Sequence, residues 1–396
     1  MIYLDNGATT FPKPECVYEA VDRFGRTQAV NAGRGAYKAA RDASVMIQDV
    51  KKRLLSLCDA REQAEVVLTP SVTIALNQII NGVNWREGDG AYVSPYEHNA
   101  VLRPLHRLCC TRGIQLIELP LAADLSIDMT ATAALFARKP PVLVSMSAVS
   151  NVTGYILPTA PIFRMAKKYG AFTLLDAAQA MGLLKIRFAE TGADAIAFAG
   201  HKTLYAPFGI AGFFIRNGVD LDPFIAGGNG IHSLCLDMPS YMPQKMECAS
   251  MDTVAIAGLQ AALQWLPAVR PREVEAARMQ YLLPRLREIP GIHIYSAPLD
   301  DMAQQAGVIS FAVDGWRAVE LAAFLDYAYD IAVRAGHHCA AFIHKYLRDD
   351  TFGGTVRVSI SIFTTQADLE QLLTALKSLD RTVLKAIPAE VLRGLC

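Results

Sequence analysis

The sequence lacks an excess of charge of either sign: its 396 residues carry 38 Lys and Arg against 38 Asp and Glu. No basic run or stripe stands out, which argues against nucleic acid or an anionic membrane as the main partner. The first residues, MIYLDNGATTFPKP, have neither a basic n-region nor an apolar h-region, so they do not read as a secretory signal. The most apolar helical stretch, residues 254–269, is interrupted by Gln260 and Gln264 and is too short to span a bilayer. No C-x-x-C pair occurs, which disfavours a zinc ribbon. The cysteines at 16, 58, 109, 110, 235, 248, 339 and 396 are scattered through a chain large enough to need no disulfide staples. That usage favours a reducing cytoplasm and thiols with individual roles. Internal repeats and low-complexity tracts are also missing.

What is present is apolar patterning. Hydrophobic residues make up 52% and charged residues 19% of the chain, a balance that suits large buried sheets. The length predicts two domains. After an extended arm over 2–14, helical spacing covers 14–24 and 39–57, where Val45, Ile47, Val50, Leu54 and Leu57 recur. NAGRGAY (31–37) between them reads as a glycine-rich loop near the site. Apolar runs at 66–68, 91–94, 115–119, 142–147, 172–175, 195–199 and 210–215 then alternate with helical patterns at 72–83, 99–112, 129–137 and 161–169. This alternation predicts an α/β fold with a mostly parallel seven-stranded sheet. Residues 226–253 form a long irregular segment, of the kind that covers a site or a partner. Helices at 254–266, 271–289, 318–325 and 367–379 follow, with strands at 292–294, 307–313, 332–334 and 355–360. The expected division is a large domain over 15–253 and a smaller α+β domain over 254–396, with the arm 1–14 packed on the latter.

Ligands of parallel sheets bind where loops leave the carboxyl ends of strands, and several such loops carry chemistry. In DAIAFAGHKTLYAPFGIAG, Lys202 follows a buried strand. Desolvation disfavours an ammonium, so its pKa falls and leaves a nucleophilic amine able to form a Schiff base with an aldehyde. In LLDAAQA, Asp176 ends a strand where a carboxylate wants a cation, such as a pyridinium nitrogen, and Gln179 is within reach of a ring hydroxyl. A helix cap is the plainer role for that Asp. In LTPSVTIALNQI, the N–H groups of Val72 and Thr73 form a phosphate cradle at a helix start, a pattern that a simple Ser cap shares. His98 in SPYEHNAV and Asn151 in SAVSNVTG sit in further loops of this edge. Cys339 in VRAGHHCA follows two histidines, a setting for a thiolate or, with two more ligands, a metal. Arg357 in GTVRVSIS is a charge in an apolar strand that wants an anion.

The order TPSVT, EHNAV, SNVTG, DAAQ, GHK, RAGHHCA, VRVSIS resembles the class V aminotransferase-fold enzymes that use pyridoxal 5'-phosphate, in the cysteine desulfurase and selenocysteine lyase branch. The resemblance runs from the YLDNGATT arm to the C-terminal helices. It implies the type I fold of pyridoxal-phosphate-dependent transferases. It further implies that Lys202 holds the cofactor and moves the α-proton, Asp176 pairs with the ring nitrogen and Gln179 with the ring oxygen. His98 stacks on the ring, while Val72, Thr73 and His201 hold the phosphate. Arg357 and Asn151, with Arg334 nearby, take the substrate carboxylate. Cys339 attacks the sulfur of L-cysteine (or selenium of L-selenocysteine), leaving a persulfide for an acceptor protein. A homodimer is implied, with Ser250 reaching the neighbouring subunit's phosphate; no metal, nucleic acid or membrane enters.

The chain departs from the family pattern in three places. Ala199 stands where a Ser hydroxyl commonly meets the phosphate, a change worth about 1 kcal/mol. The usual A-G-T-P-N segment reads Ala249, Ser250, Met251, Asp252 after Cys248, and Ala341 replaces a Pro. The competing readings are a class V aminotransferase, racemase or β-lyase in which Cys339 is a bystander, a non-catalytic cofactor-bound scaffold, and a zinc module on His337, His338 and Cys339.

Overall fold

The computed structural model describes residues 1–33, 35–298, 301–388 and 391–392; Cys396 and Arg34 of the NAGRGAY stretch lie outside them. A short strand β1 (Ile2–Tyr3) precedes helices α1 (Glu15–Thr27) and α2 (Lys38–Leu57). Alternation then sets in: β2 (Ala64–Thr69), α3 (Val72–Gly82), β3 (Gly90–Val93), α4 (Asn99–Arg112), β4 (Gln115–Glu118) and α5 (Met129–Arg138). It continues through β5 (Pro141–Ser147), α6 (Thr159–Lys167), β6 (Phe172–Asp176), the single turn α7 (Phe188–Thr191), β7 (Ala195–Ala199) and β8 (Ala211–Arg216). Every residue of β7 is buried, as an unbroken apolar strand requires, and helices cover both faces of its sheet.

The sheet has seven strands in the order β2-β8-β7-β6-β5-β3-β4. Only β8 runs against the rest, pairing antiparallel with both β2 and β7. Thr69 and Ala199 both lie opposite Ala211, so β2 and β7 end at one edge. Ser147 is level with Asp176, and Asp176 with Ala197, which brings the ends of β5, β6 and β7 together. This shared edge is where the chain's candidate residues collect.

Most expected elements differ from the structure by a residue or two at their ends. Val45 is a sharper difference: it is 68% exposed, because Ala43, Met46, Ile47, Val50 and Leu54 form the inward stripe of α2 and Val45 falls between its rows. Residues 226–252 contain neither helix nor strand, and Thr253, the last residue of the expected irregular segment, already opens a helix.

The rest comprises α8 (Thr253–Trp265), α9 (Pro271–Arg287), β9 (Ile292–Tyr295), β10 (Val308–Val313), α10 (Ala318–Tyr329), β11 (Ile331–Ala332), β12 (Arg334–Gly336), the turn α11 (His344–Leu347), β13 (Thr355–Ser359) and α12 (Gln366–Lys377). An antiparallel sheet runs β12-β13-β10-β9. The strand expected over 332–334 is two, because β11 pairs in parallel with β1 while β12 joins β13. That pairing ties the arm down, and Leu4 is buried in the core beneath the small sheet. We propose that the division between the two parts follows α8 rather than residue 253. Ala255, Ile256, Leu259 and Ala262 of α8 belong to the same core as Val17, Phe24 and Met46 of α1 and α2, whereas Met279 and Leu282 of α9 belong to the small-sheet core. Among the described residues no helix is long and apolar enough to cross a membrane.

Candidate active site

Lys202 lies three residues beyond β7, in a loop whose backbone the N-terminal arm grips. The His201 carbonyl accepts from Thr10 N at 3.1 Å, Thr9 Oγ1 at 2.9 Å, Thr10 Oγ1 at 3.3 Å and Lys13 Nζ at 2.7 Å. Thr10 Oγ1 also reaches the Lys202 carbonyl at 3.1 Å. Burial pushes the Lys202 amine down to about 8; Asp176 opposes that shift and the cations of Arg357 and Arg334 add to it. At neutral pH an appreciable fraction is therefore the free, nucleophilic amine.

Asp176, at the end of β6, is buried, and its carboxyl is pushed up by desolvation against the pull of the Ala178 N–H and Lys202. Its Oδ1 accepts from Ala178 N at 2.9 Å, so the local turn is real, yet one N–H does not neutralise a buried carboxylate. His98 caps α4: its Nδ1 accepts from Ala100 N at 3.0 Å. That bond places the imidazole proton on Nε2, and burial with the nearby cations of Lys202 and Arg357 pushes the ring down to about 4. Ser71 caps α3 through Ile74 N at 3.3 Å, while the first-turn N–H groups of Val72 and Thr73 have no carbonyl within the helix. His201 stacks on Phe208, and its buried Nδ1 has no partner.

These features fit a phosphorylated pyridine aldehyde. Lys202 supplies the amine, Asp176 a carboxylate lacking a full counter-charge, α3 a cradle of free N–H groups, and His201 an orphaned polar atom. Gln179 Nε2 donates to Gly7 O at 2.7 Å, which leaves its second N–H and its Oε1 unclaimed by that bond. Ser250 stands apart from this group. It lines a cavity of about 200 Å³ with Asn31, Lys51 and Glu247, and hydrogen-bonds Asn31.

The second half of the site comes from the small sheet. Arg334 and Arg357 are directly opposite across β12 and β13, a like-charge pair that would repel. Asp5 of the arm resolves it: Oδ1 takes Arg357 Nη2 at 2.7 Å and Oδ2 takes Arg334 Nη2 at 2.9 Å. Gly7 lets the arm approach this closely, since a Cβ there would lie 3.2 Å from Arg357 Cζ. Arg357 Nη1 donates to Asn151 O at 3.1 Å, and its buried Nε has no partner, a donor free for an incoming carboxylate. Arg334 is exposed and committed to Asp5. Asp5 was not among the residues that sequence reasoning singled out; the signal was a lone carboxylate in an arm facing two strand arginines.

Cys339 is exposed, in a turn closed by Ala340 N to His337 O at 3.0 Å. Both central residues are left-handed, His338 at φ 49° and Cys339 at φ 56°, each costing about 1–2 kcal/mol for a residue with a Cβ. The turn meets the rest of the site through its backbone. Asn99 N, beside His98, donates to Cys339 O at 2.6 Å, and Asn151 Nδ2 donates to His338 O at 2.7 Å. Asn151 thus holds the cysteine turn with its side chain and Arg357 with its carbonyl. Among the described residues no three His, Cys, Asp or Glu side chains are grouped to hold a metal, and His338 Nε2 is occupied by Thr355 Oγ1 at 2.9 Å.

Residues 2–372 match the family model described as aminotransferase class-V. The chain belongs to that family. Among its relatives, a cysteine desulfurase of Escherichia coli O127:H6 is 30% identical over 96% of this chain and 94% of its own length. One from Pectobacterium carotovorum is 28% identical over 96% and 93%. The apo structure of the cysteine desulfurase from Thermococcus onnurineus NA1 superposes with a TM-score of 0.87 at 28% identity, covering 98% of this chain and 95% of that one. The E. coli cysteine desulfurase captured as its S-sulfonic acid gives 0.81 at 25%, with the same coverages. The α/β class V frame is therefore shared along almost the whole chain, including the edge that carries Lys202 and the turn that carries Cys339.

Proposed function

We propose that the protein is a pyridoxal 5'-phosphate-dependent cysteine desulfurase. It converts L-cysteine to L-alanine and leaves the sulfur as a persulfide on Cys339 for an acceptor protein; the same geometry accepts selenium at the β position. The observation that carries this reading is the 2.6 Å bond from Asn99 N to Cys339 O, which seats the cysteine turn beside His98. A bystander thiol would have no reason to occupy a strained turn docked at the same sheet edge as Lys202.

The cofactor, when bound, withdraws electrons from the substrate's α-carbon. The chain does the rest. Arg357 holds the substrate carboxylate with the guanidinium face left by Asp5 and Asn151. Lys202, as a neutral amine, takes the α-proton at Nζ. The Cys339 thiolate attacks the substrate sulfur, so a new S–S bond forms as the Cβ–S bond breaks. The carbon keeps that electron pair and takes up a proton, giving alanine. His98, with its proton on Nε2, is placed to hold or pass a proton in this space.

We further propose a cytoplasmic homodimer. Leu234 and Leu236, in the irregular segment beside Ser250, are fully exposed, as expected of side chains that a second copy covers. The test of the activity is mass spectrometry of Cys339 after addition of L-cysteine. A mass increase of one sulfur on that peptide is expected, with loss of alanine formation in Cys339→Ala. Full alanine formation by Cys339→Ala under reducing conditions would overturn the assignment.

A further inference from the structure

Three consecutive carbonyls of the Cys339 turn are held by three different parts of the fold. Asn99 N takes Cys339 O, Asn151 Nδ2 takes His338 O, and His344 Nε2 takes His337 O at 2.9 Å. The third contact has its own support. His344 is 4% exposed, and its Nδ1 meets Asp349 Oδ2 at 2.5 Å, with Asp349 fully buried. Both ring nitrogens of His344 therefore meet oxygens, so the ring is held at both ends. The chain builds this pair locally. α11 is one turn long, Arg348 follows it in a left-handed conformation at φ 56°, and the reversal brings Asp349 back onto the ring five residues earlier.

We propose that the buried His344–Asp349 pair is a positioning device for Cys339, fixing the left-handed turn that presents the thiol. His337 O is the acceptor that closes the turn through Ala340 N, so a second donor on it steadies the hydrogen bond that spans His338 and Cys339. Asp349 fixes the imidazole's orientation, as a carboxylate does for a catalytic or metal-bound histidine, but here the ring acts on a carbonyl. His344 is not a catalytic residue; it acts through the backbone of the turn. A left-handed His-Cys pair is intrinsically disfavoured, so such a turn persists only when its surroundings over-determine it.

This inference rests on the desulfurase reading for its consequence, though not for its geometry, and the experiment separates the two. His344→Leu removes both ring bonds, His344→Gln keeps an amide N–H able to reach His337 O, and Asp349→Asn keeps an acceptor without the charge. In cofactor-loaded protein, single-turnover persulfide formation on Cys339 is expected to fall roughly 10–100-fold in His344→Leu, the scale of a misplacement near 1 Å. Binding of L-alanine, read from the cofactor's absorbance, stays unchanged, and His344→Gln recovers most of the rate. Iodoacetamide alkylation of Cys339 in the same variants, followed by peptide mass, is expected to change for His344→Leu and return toward wild type for His344→Gln.

Wild-type persulfide and alkylation rates in His344→Leu would overturn the proposal, as would His344→Gln behaving like His344→Leu. If His344→Leu does not fold, Asp349→Asn decides: a slowed persulfide step supports the pair, and a wild-type rate overturns it. If wild-type protein forms no persulfide at all, the desulfurase reading fails, and the alkylation rates alone then decide the positioning role.

Discussion

At the scale of single residues, two buried ionisable groups make the site sensitive to pH in opposite ways. The Lys202 amine is held near 8, so its reactive neutral fraction grows as pH rises through that value, well below the range of an exposed lysine. Site-resolved labelling of cofactor-free protein with trinitrobenzenesulfonate should therefore show a midpoint near 8 at Lys202. Arg357→Met removes a cation that disfavours the ammonium and should move the midpoint up, whereas Asp176→Asn removes the anion that favours it and should move it down. Glu97 is the second case. It is fully buried and pushed up to about 8 by desolvation, with Oε1 accepting from Ser94 Oγ and Ser147 N at 2.6 Å each and Oε2 against Ser147 Oγ at 3.2 Å. Below its ordinary value of 4.5 both folded and unfolded chains are protonated. Between 4.5 and about 8 only the folded chain keeps the proton, so stability falls as pH rises through that window. Glu97→Gln mimics the neutral acid and lacks this slope. It should match wild type near pH ~4.5 and exceed it by up to about 5 kcal/mol above pH ~8, measured by denaturant unfolding; parallel curves across that range would refute the buried neutral acid.

At the scale of elements, the N-terminal arm does more than its sequence announces. Its β1 joins β11, its threonines and Lys13 hold the His201 carbonyl, and its Asp5 sits between two facing arginines. Asp5→Asn leaves Arg357, which is 2% exposed, without its carboxylate and beside a like charge. The expected loss is about 3 kcal/mol, the scale of breaking a buried ion pair from one side. Adding Arg334→Met should return part of it, because the repulsion across β12 and β13 goes with the second charge. A double-mutant cycle by urea unfolding reads this directly, and strictly additive losses would contradict the bridge. The arm also marks where sequence reasoning reached its limit. Strands β2 to β8 were legible because each is a short apolar run at a regular interval, and Lys202, Asp176 and His98 were legible as polar residues just past such runs. Asp5, Lys13 and His344 were not, since their partners are remote in sequence or buried by a turn whose left-handed residues no pattern announces. Gln179 and Asn151 were picked out as polar residues past strands, but the backbone groups their amides hold depend on three-dimensional docking.

At the scale of the whole molecule, the segment from 226 to 252 is the part that a single copy of the chain leaves unexplained. It is irregular throughout, yet it carries the buried Lys51–Glu247 ion pair's carboxylate at one end and two fully exposed leucines, Leu234 and Leu236, in its middle. A segment anchored by a buried charge pair is a built feature, and its apolar tip then needs a surface to meet. Ser250 follows the same logic: it lies in a cavity with Asn31 and Lys51 rather than with His201, and in the proposed homodimer its hydroxyl would serve a phosphate in the other subunit. Burial of a leucine contributes about 1.5–3 kcal/mol, and twofold symmetry counts each one twice. Replacing Leu234 and Leu236 with serine should therefore weaken dimer association at least roughly 100-fold, taking the lower bound of that burial with allowance for incomplete coverage. Light scattering after gel filtration should find the variant at half the wild-type mass in the micromolar range, with the unfolding of the large sheet unaltered. Cofactor retention supplies the independent arm, because a subunit deprived of its neighbour's Ser250 should lose the cofactor faster on dialysis even though Lys202, Asp176 and the α3 cradle are intact. A variant that stays dimeric and holds the cofactor as wild type does would place the leucines outside the subunit interface and remove the argument that Ser250 serves a neighbouring site.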